Sequence, residues 1–186
     1  MKELFEAIRA GDSSRVAALV AANPSLAIFA AAIQGDTARI EELLAANRSL
    51  MSALSEDGWT PLHLAAFFGK TDAARLLLNK GAEVNARSTN AMENMPLHAA
   101  AAGRHADLIK LLIDHGASVN VRQHGGWTPL HAAAQNGDLE IARALVGAGA
   151  DVQTRADNNQ TALDLALTKA QQAMVDYLEA NGARLQ

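Results

Sequence analysis

The chain has 186 residues and no cysteine. Disulfide frameworks, thiolate metal sites and cysteine nucleophiles are therefore excluded. Aromatic residues are scarce: two Trp, one Tyr and four Phe. With hydrophobic residues at 49% of the chain, the core is expected to be mostly Ala and Leu, the composition of a helical protein. A strong excess of one charge is also missing. A formal net charge of -4 provides no blanket attraction to nucleic acid or to an anionic membrane, either of which would need clustered Lys and Arg. The longest apolar run, Leu26 to Ile33, is eight residues, whereas a membrane span needs about 20. Met1-Lys2-Glu3-Leu4-Phe5-Glu6 carries acids where a signal peptide would carry its apolar core. The expectation is a cytoplasmic, unglycosylated chain, with the sequons at Asn47 and Asn159 unused.

What is present is repetition. Gly58-Trp59-Thr60-Pro61-Leu62-His63-Leu64-Ala65-Ala66-Phe67-Phe68-Gly69 recurs as Gly126-Trp127-Thr128-Pro129-Leu130-His131-Ala132-Ala133-Ala134-Gln135-Asn136-Gly137. A third copy is Met95-Pro96-Leu97-His98-Ala99-Ala100-Ala101, and Thr161-Ala162-Leu163-Asp164-Leu165-Ala166 is a faded fourth. Their first positions, 60, 95, 128 and 161, are spaced 35, 33 and 33. Self-similarity at such a period marks a stacked array. Each residue type has a physical role. Thr60 can cap a helix N-terminus, and Pro61 follows where its missing N–H costs nothing. Ala65 and Ala66 keep the helix face small enough for close packing, and Gly69 permits the left-handed turn that ends it. A second helix is expected from about Asp72 to Lys80, with Ala73, Ala74, Leu77 and Leu78 on its apolar face. Ala82-Glu83-Val84-Asn85 then leads into an extended finger.

The period and the Thr-Pro-Leu-His-x-Ala core resemble the ankyrin repeat. The resemblance covers the whole chain and implies an all-α ankyrin repeat solenoid of about six helix-turn-helix units with short β-hairpin-like fingers. Aligning Gly11 and Gly35 with Gly137 extends the pattern backward into two degenerate units that lack the Thr-Pro start. The units expected within a single domain, 1–186, are 1–25, 26–59, 60–94, 95–127, 128–160 and 161–186. The first is an N-terminal cap. The last is a C-terminal cap, marked by polar Gln171, Gln172, Asp176 and Glu179 on its outer face.

The repeat beginning at Met95 departs from its neighbours twice. Its finger is two residues longer, with Ser88-Thr89-Asn90-Ala91-Met92-Glu93-Asn94 at the tip, either drift or a finger shaped for a partner. Its glycine has moved to Gly103, leaving Arg104 at the turn, so either the turn is remodelled or Arg104 is strained.

Catalytic and metal chemistry find no support. His63, His98 and His131 occupy equivalent places in successive units and cannot share one ion. The resemblance implies that each orders its turn through backbone hydrogen bonds. His105, His115 and His124 show no ligand spacing. Gly69-Lys70-Thr71 lacks the glycine five residues earlier that a phosphate loop requires, and Gly125-Gly126 lacks dinucleotide-binding spacing. No catalytic residue, cofactor or metal is expected. Finger asparagines such as Asn85 and Asn120 can be hydroxylated in this family; the preferred expectation is that they stabilise the finger turn.

The resemblance also implies a concave groove lined by fingertip residues and by the exposed edge of each first helix. Onto it project Ile33 and Gln34; Glu56, Asp57, Trp59, Phe67 and Phe68; Ala91, Met92, Asn94, Ala102 and Gly103; His124, Gly125, Trp127, Gln135 and Asn136; and Asp157, Asn158, Gln160, Thr168 and Lys169. Four of the seven aromatic residues fall there, while Phe5, Phe29 and Tyr177 map to packing positions. Exposed large apolar groups, Trp above all, mark interaction sites. The expected function is a monomeric, non-enzymatic scaffold for another protein. Trp59, Phe67, Phe68, Met92 and Trp127 are its anchors, with Glu56, Asp57, His124, Gln135 and Asn136 around them. In the competing reading of the aromatic positions, they only rigidify their finger. Competing functions are a regulatory or targeting fragment of a larger enzyme or channel, or a structural or designed stack without a natural partner.

Overall fold

The computed structural model describes residues 1–184. Among these, twelve α-helices follow one another in pairs: α1 Lys2–Arg9 with α2 Ser13–Ala22, α3 Ala27–Gln34 with α4 Thr37–Ala46, and α5 Pro61–Phe67 with α6 Thr71–Asn79. The pairs continue with α7 Pro96–Ala102 and α8 Ala106–Asp114, α9 Pro129–Asn136 and α10 Leu139–Gly147, and α11 Ala162–Thr168 and α12 Gln172–Ala180. First helices stack on first helices from α3 through α11, second helices on second helices from α4 through α12. Each pair thus meets chiefly its neighbours, the arrangement of a quasi-one-dimensional solenoid. Leu62, Leu97, Leu130 and Leu163 run through the stack at 1% exposure or less, flanked by fully buried Ala65, Ala100 and Ala133. Small residues in this row let first helices approach one another closely.

The helix ends follow the sequence with two exceptions, Arg104 after α7 and Ala170, at φ 53°, after α11. Asp12 and Asp36 cap α2 and α4 by accepting from Arg15 N–H at 2.9 Å and Arg39 N–H at 3.0 Å. After the first helices, Gly35, Gly69 and Gly137 take the left-handed turn. In the fourth pair Arg104 takes it instead, at φ 66°, so the turn is retained and Arg104 carries the strain, about 1–2 kcal/mol. Its guanidinium pairs with Asp138 at 2.8 Å in the next unit. Gly103, at φ -75°, serves a different need: a Cβ there would stand 2.3 Å from the Phe67 carbonyl oxygen.

No strand forms among the described residues. Each finger is a turn closed by a backbone bond: Ser55 N–H to Trp59 O, Gln123 N–H to Trp127 O and Ala156 N–H to Gln160 O, all at 2.9 Å. A second bond lies inside it, from Gly58 N–H to Ser55 O at 2.8 Å, Gly126 N–H to Gln123 O at 3.0 Å and Asn159 N–H to Ala156 O at 2.9 Å. In the longer finger the closing bond runs from Ser88 N–H to Asn94 O at 2.8 Å, so the extra residues widen the loop inside that bond. Successive fingers are joined as well. Gly58 O accepts from Thr89 N–H at 3.1 Å, Met92 O from His124 N–H at 2.9 Å and Gly125 O from Asp157 N–H at 2.9 Å. Asn85 bridges units rather than bracing its own turn, accepting from Ser118 N–H at 2.9 Å and donating to Gly116 O at 3.3 Å. Asn120 does the same toward Asp151 and Gly149.

Candidate functional site

The groove rests on a seam of buried histidines. His63 Nδ1 accepts from Thr60 N–H at 3.3 Å, which leaves the ring proton on Nε2 to donate to Asn94 O at 3.1 Å in the next finger. His98 reads Met95 N–H at 3.3 Å and Trp127 O at 3.2 Å in the same way, and His131 reads Thr128 N–H at 3.2 Å and Gln160 O at 3.1 Å. Burial holds the neutral form: His63 and His98 are each pushed down to about 4 by desolvation, against the opposing carbonyl bonds, and desolvation lowers His131 too. With both ring nitrogens engaged, none of the three has a free lone pair for a metal. Among the described residues no cluster of three or more His, Asp or Glu could hold an ion.

Above His63 lies an aromatic ladder. Trp59, on the finger, packs over the His63 ring at 6.0 Å and meets Phe67 edge-on at 5.4 Å. Phe67 meets Phe68 edge-on at 5.2 Å, and Phe68 meets Phe5 of α1 at 5.7 Å. Edge-to-face contacts at these separations are attractive, about 0.5–1.5 kcal/mol per pair beyond burial. All four rings stay only half-buried. With Leu64, Asp57 and Asn90 they line an open groove of about 340 Å³. The sequence placed Trp59, Phe67, Phe68 and Asp57 here; it assigned Phe5 to packing in the cap and overlooked Asn90. Ile33, projected onto the groove, is instead 2% exposed.

The paired helices, forward-reaching histidines and finger turns agree with the family comparison. A family model described as ankyrin repeats (3 copies) matches residues 4–88 and 97–186, and one described as ankyrin repeats (many copies) matches 65–113. The chain belongs to the ankyrin repeat family. Its repeats are generally protein–protein interaction modules, typically non-catalytic, and no enzyme domain accompanies them in the match. No curated protein matches the chain. The two segments of the first match leave out residues 89–96, most of the enlarged finger's tip.

The other expected contact residues of this ankyrin repeat protein are dispersed. Met92 is 47% exposed at the tip of the enlarged finger. His124 is exposed on the next finger, joined to Met92 through backbone. Trp127 is half-buried over His131 at 5.6 Å and makes no ring contact with the ladder. Gln135 is exposed, its carbonyl accepting from Gln171 at 3.2 Å, and Asn136 reaches Ala101 O at 3.5 Å. Glu56, on the rim, accepts from the Met1 amine. Among the described residues no helix is long and apolar enough to cross a membrane.

Proposed function

We propose that this ankyrin repeat protein is a non-enzymatic, monomeric scaffold, its residues 1–186 acting as one domain, that binds a segment of another protein along its concave groove. Trp59, Phe67 and Phe68 form the centre of the site, with Phe5 beside them and Met92 and Trp127 as outlying anchors. Glu56, Asp57, His124, Gln135 and Asn136 are its polar surround. The observation that carries this is the ladder itself: four rings in unbroken contact, each half-open to solvent, around one groove. A cluster that only braced its own finger would not need Phe5, which belongs to a helix more than 50 residues earlier in the chain. Half-open aromatic clusters of this kind are typical of binding hot spots.

The test is affinity capture from cells that produce the protein, comparing wild type with a Trp59→Ala/Phe67→Ala/Trp127→Ala variant of matched helicity and melting. The wild type is expected to retain partners that the variant loses. Indistinguishable partner sets would overturn the groove as the binding site.

A further inference from the structure

Beside the ladder stands a carboxylate without a partner of its own. Of the other fingertip acids, Glu93 pairs with Arg87 at 3.5 Å, Asp157 pairs with Arg122 at 3.1 Å, and Glu56 holds the Met1 amine. Asp57 is exposed at the groove's edge, and its side chain makes no hydrogen bond or ion pair among the described residues. Lys2 and Arg9 line the adjoining hollow with Phe5, Glu6 and Asp57, yet neither cation comes within ion-pair distance of the Asp57 carboxylate.

The backbone of Asp57 is nevertheless held in place, and the enlarged finger does the holding. Asn90 Nδ2 donates to Asp57 O at 2.8 Å, while Asn90 Oδ1 accepts from Ser88 Oγ at 3.0 Å and Met92 N–H at 2.9 Å. The contact is close enough that a Cβ on Gly58 would stand 2.6 Å from Thr89 Oγ1 and 2.8 Å from Asn90 N. The insertion is therefore a strut against the preceding fingertip rather than a free protrusion.

Ring faces carry negative quadrupole density, so aromatic walls and an unpaired carboxylate attract the same kind of guest, a cation. A guanidinium fits this combination better than an ammonium, since it is flat, weakly hydrated, stacks on rings and can pair bidentately with a carboxylate. We propose that the groove receives an arginine side chain from an extended segment of the partner protein, stacked on one ring of the Trp59–Phe67–Phe68 ladder and paired with Asp57. This rests on the reading of the groove as a protein-binding site and specifies the chemistry of its occupant.

The test uses four blocked pentapeptides identical except for a central arginine, lysine, citrulline or norleucine, titrated into the intact protein while the two indole N–H resonances are followed by NMR. The arginine peptide is expected to move the Trp59 resonance and to bind at least about tenfold tighter than the citrulline peptide, the equivalent of one charge-assisted hydrogen bond. Lysine should fall between them. Asp57→Asn, at an exposed position whose folding is checked by melting, should bring arginine binding down to the level of citrulline. Citrulline or norleucine binding as tightly as arginine would overturn cation recognition while leaving the apolar groove intact. Failure of all four to shift Trp59 would also overturn the arginine assignment, and the capture comparison separately decides whether the groove reading falls with it.

Discussion

Trp59 and Trp127 stand in the same hexapeptide, Gly-Trp-Thr-Pro-Leu-His, and the fold treats them alike as far as that hexapeptide reaches. Each lies over its histidine, at 6.0 and 5.6 Å, on a finger closed by the same 2.9 Å backbone bond. They part company one helix turn later. Trp59 finds Phe67, which continues through Phe68 to Phe5, whereas the positions equivalent to Phe67 and Phe68 below Trp127 are Gln135 and Asn136. Asn136 turns back to donate to the preceding unit, and Gln135 lends its carbonyl to the following one. The repeated motif thus builds the same support twice. Two residues outside the motif decide whether the support carries an open aromatic surface or inter-repeat stitching.

Acid attacks what the two tryptophans share. His63 and His98 sit near 4 in the fold against an ordinary 6.5, because burial disfavours the cation. Stability is therefore fully present above pH 6.5. As the pH falls below that value the unfolded chain takes up protons that the fold refuses, and each of the two costs about 1.4 kcal/mol per pH unit until the loss levels off near pH 4. Denaturant melts at stepped pH should show this as the largest effect, with His131 adding in the same direction. A flat profile from pH 7 to 4 would contradict the buried neutral seam. The next effect separates the two sites. Phe67→Ala removes edge contacts to both Trp59 and Phe68 and should lower stability by about 2 kcal/mol, whereas Gln135→Ala, at the equivalent exposed position, should stay within about 0.5 kcal/mol. Equal losses in thermal or urea melts would dissolve the distinction. The smallest effect concerns the strut. Glu93 holds the left-handed position that Gly58 and Gly126 occupy in other fingers, at φ 49° against 72° for both glycines. Glu93→Gly should relieve about 1 kcal/mol of strain and, since it leaves Asn90 untouched, should not alter the Trp59 environment read by fluorescence.

The repeat period, the helix starts at Thr60 and Thr128 and the left-handed glycines were legible because they are local chemistry repeated. The grouping of Trp59, Phe67, Phe68 and Asp57 was legible too, since it lies within one finger and the helix that follows it. Phe5 was not: its place against Phe68 depends on how a degenerate first unit without a Thr-Pro start packs on the second. Asn90 was missed because an insertion read along the chain shows added length, not the direction in which the side chain reaches. Ile33 was misplaced because register along the chain gives a residue's position on its helix but not what covers it.

The histidine seam also gives the array a polarity. His63, His98 and His131 all donate forward, to a carbonyl in the unit that follows. Separating two units therefore does unequal damage at the break: the upstream face keeps a buried imidazole N–H with no acceptor, while the downstream face keeps only a carbonyl oxygen. Orphaned buried N–H groups are the rarer and less tolerated of the two. Fraying that begins downstream thus leaves an unpartnered histidine N–H on the unit where it stops, a cost that opposes it, whereas fraying from the other end leaves the remaining histidines satisfied. The stack is a one-way zipper, harder to open from its later units than from its earlier ones.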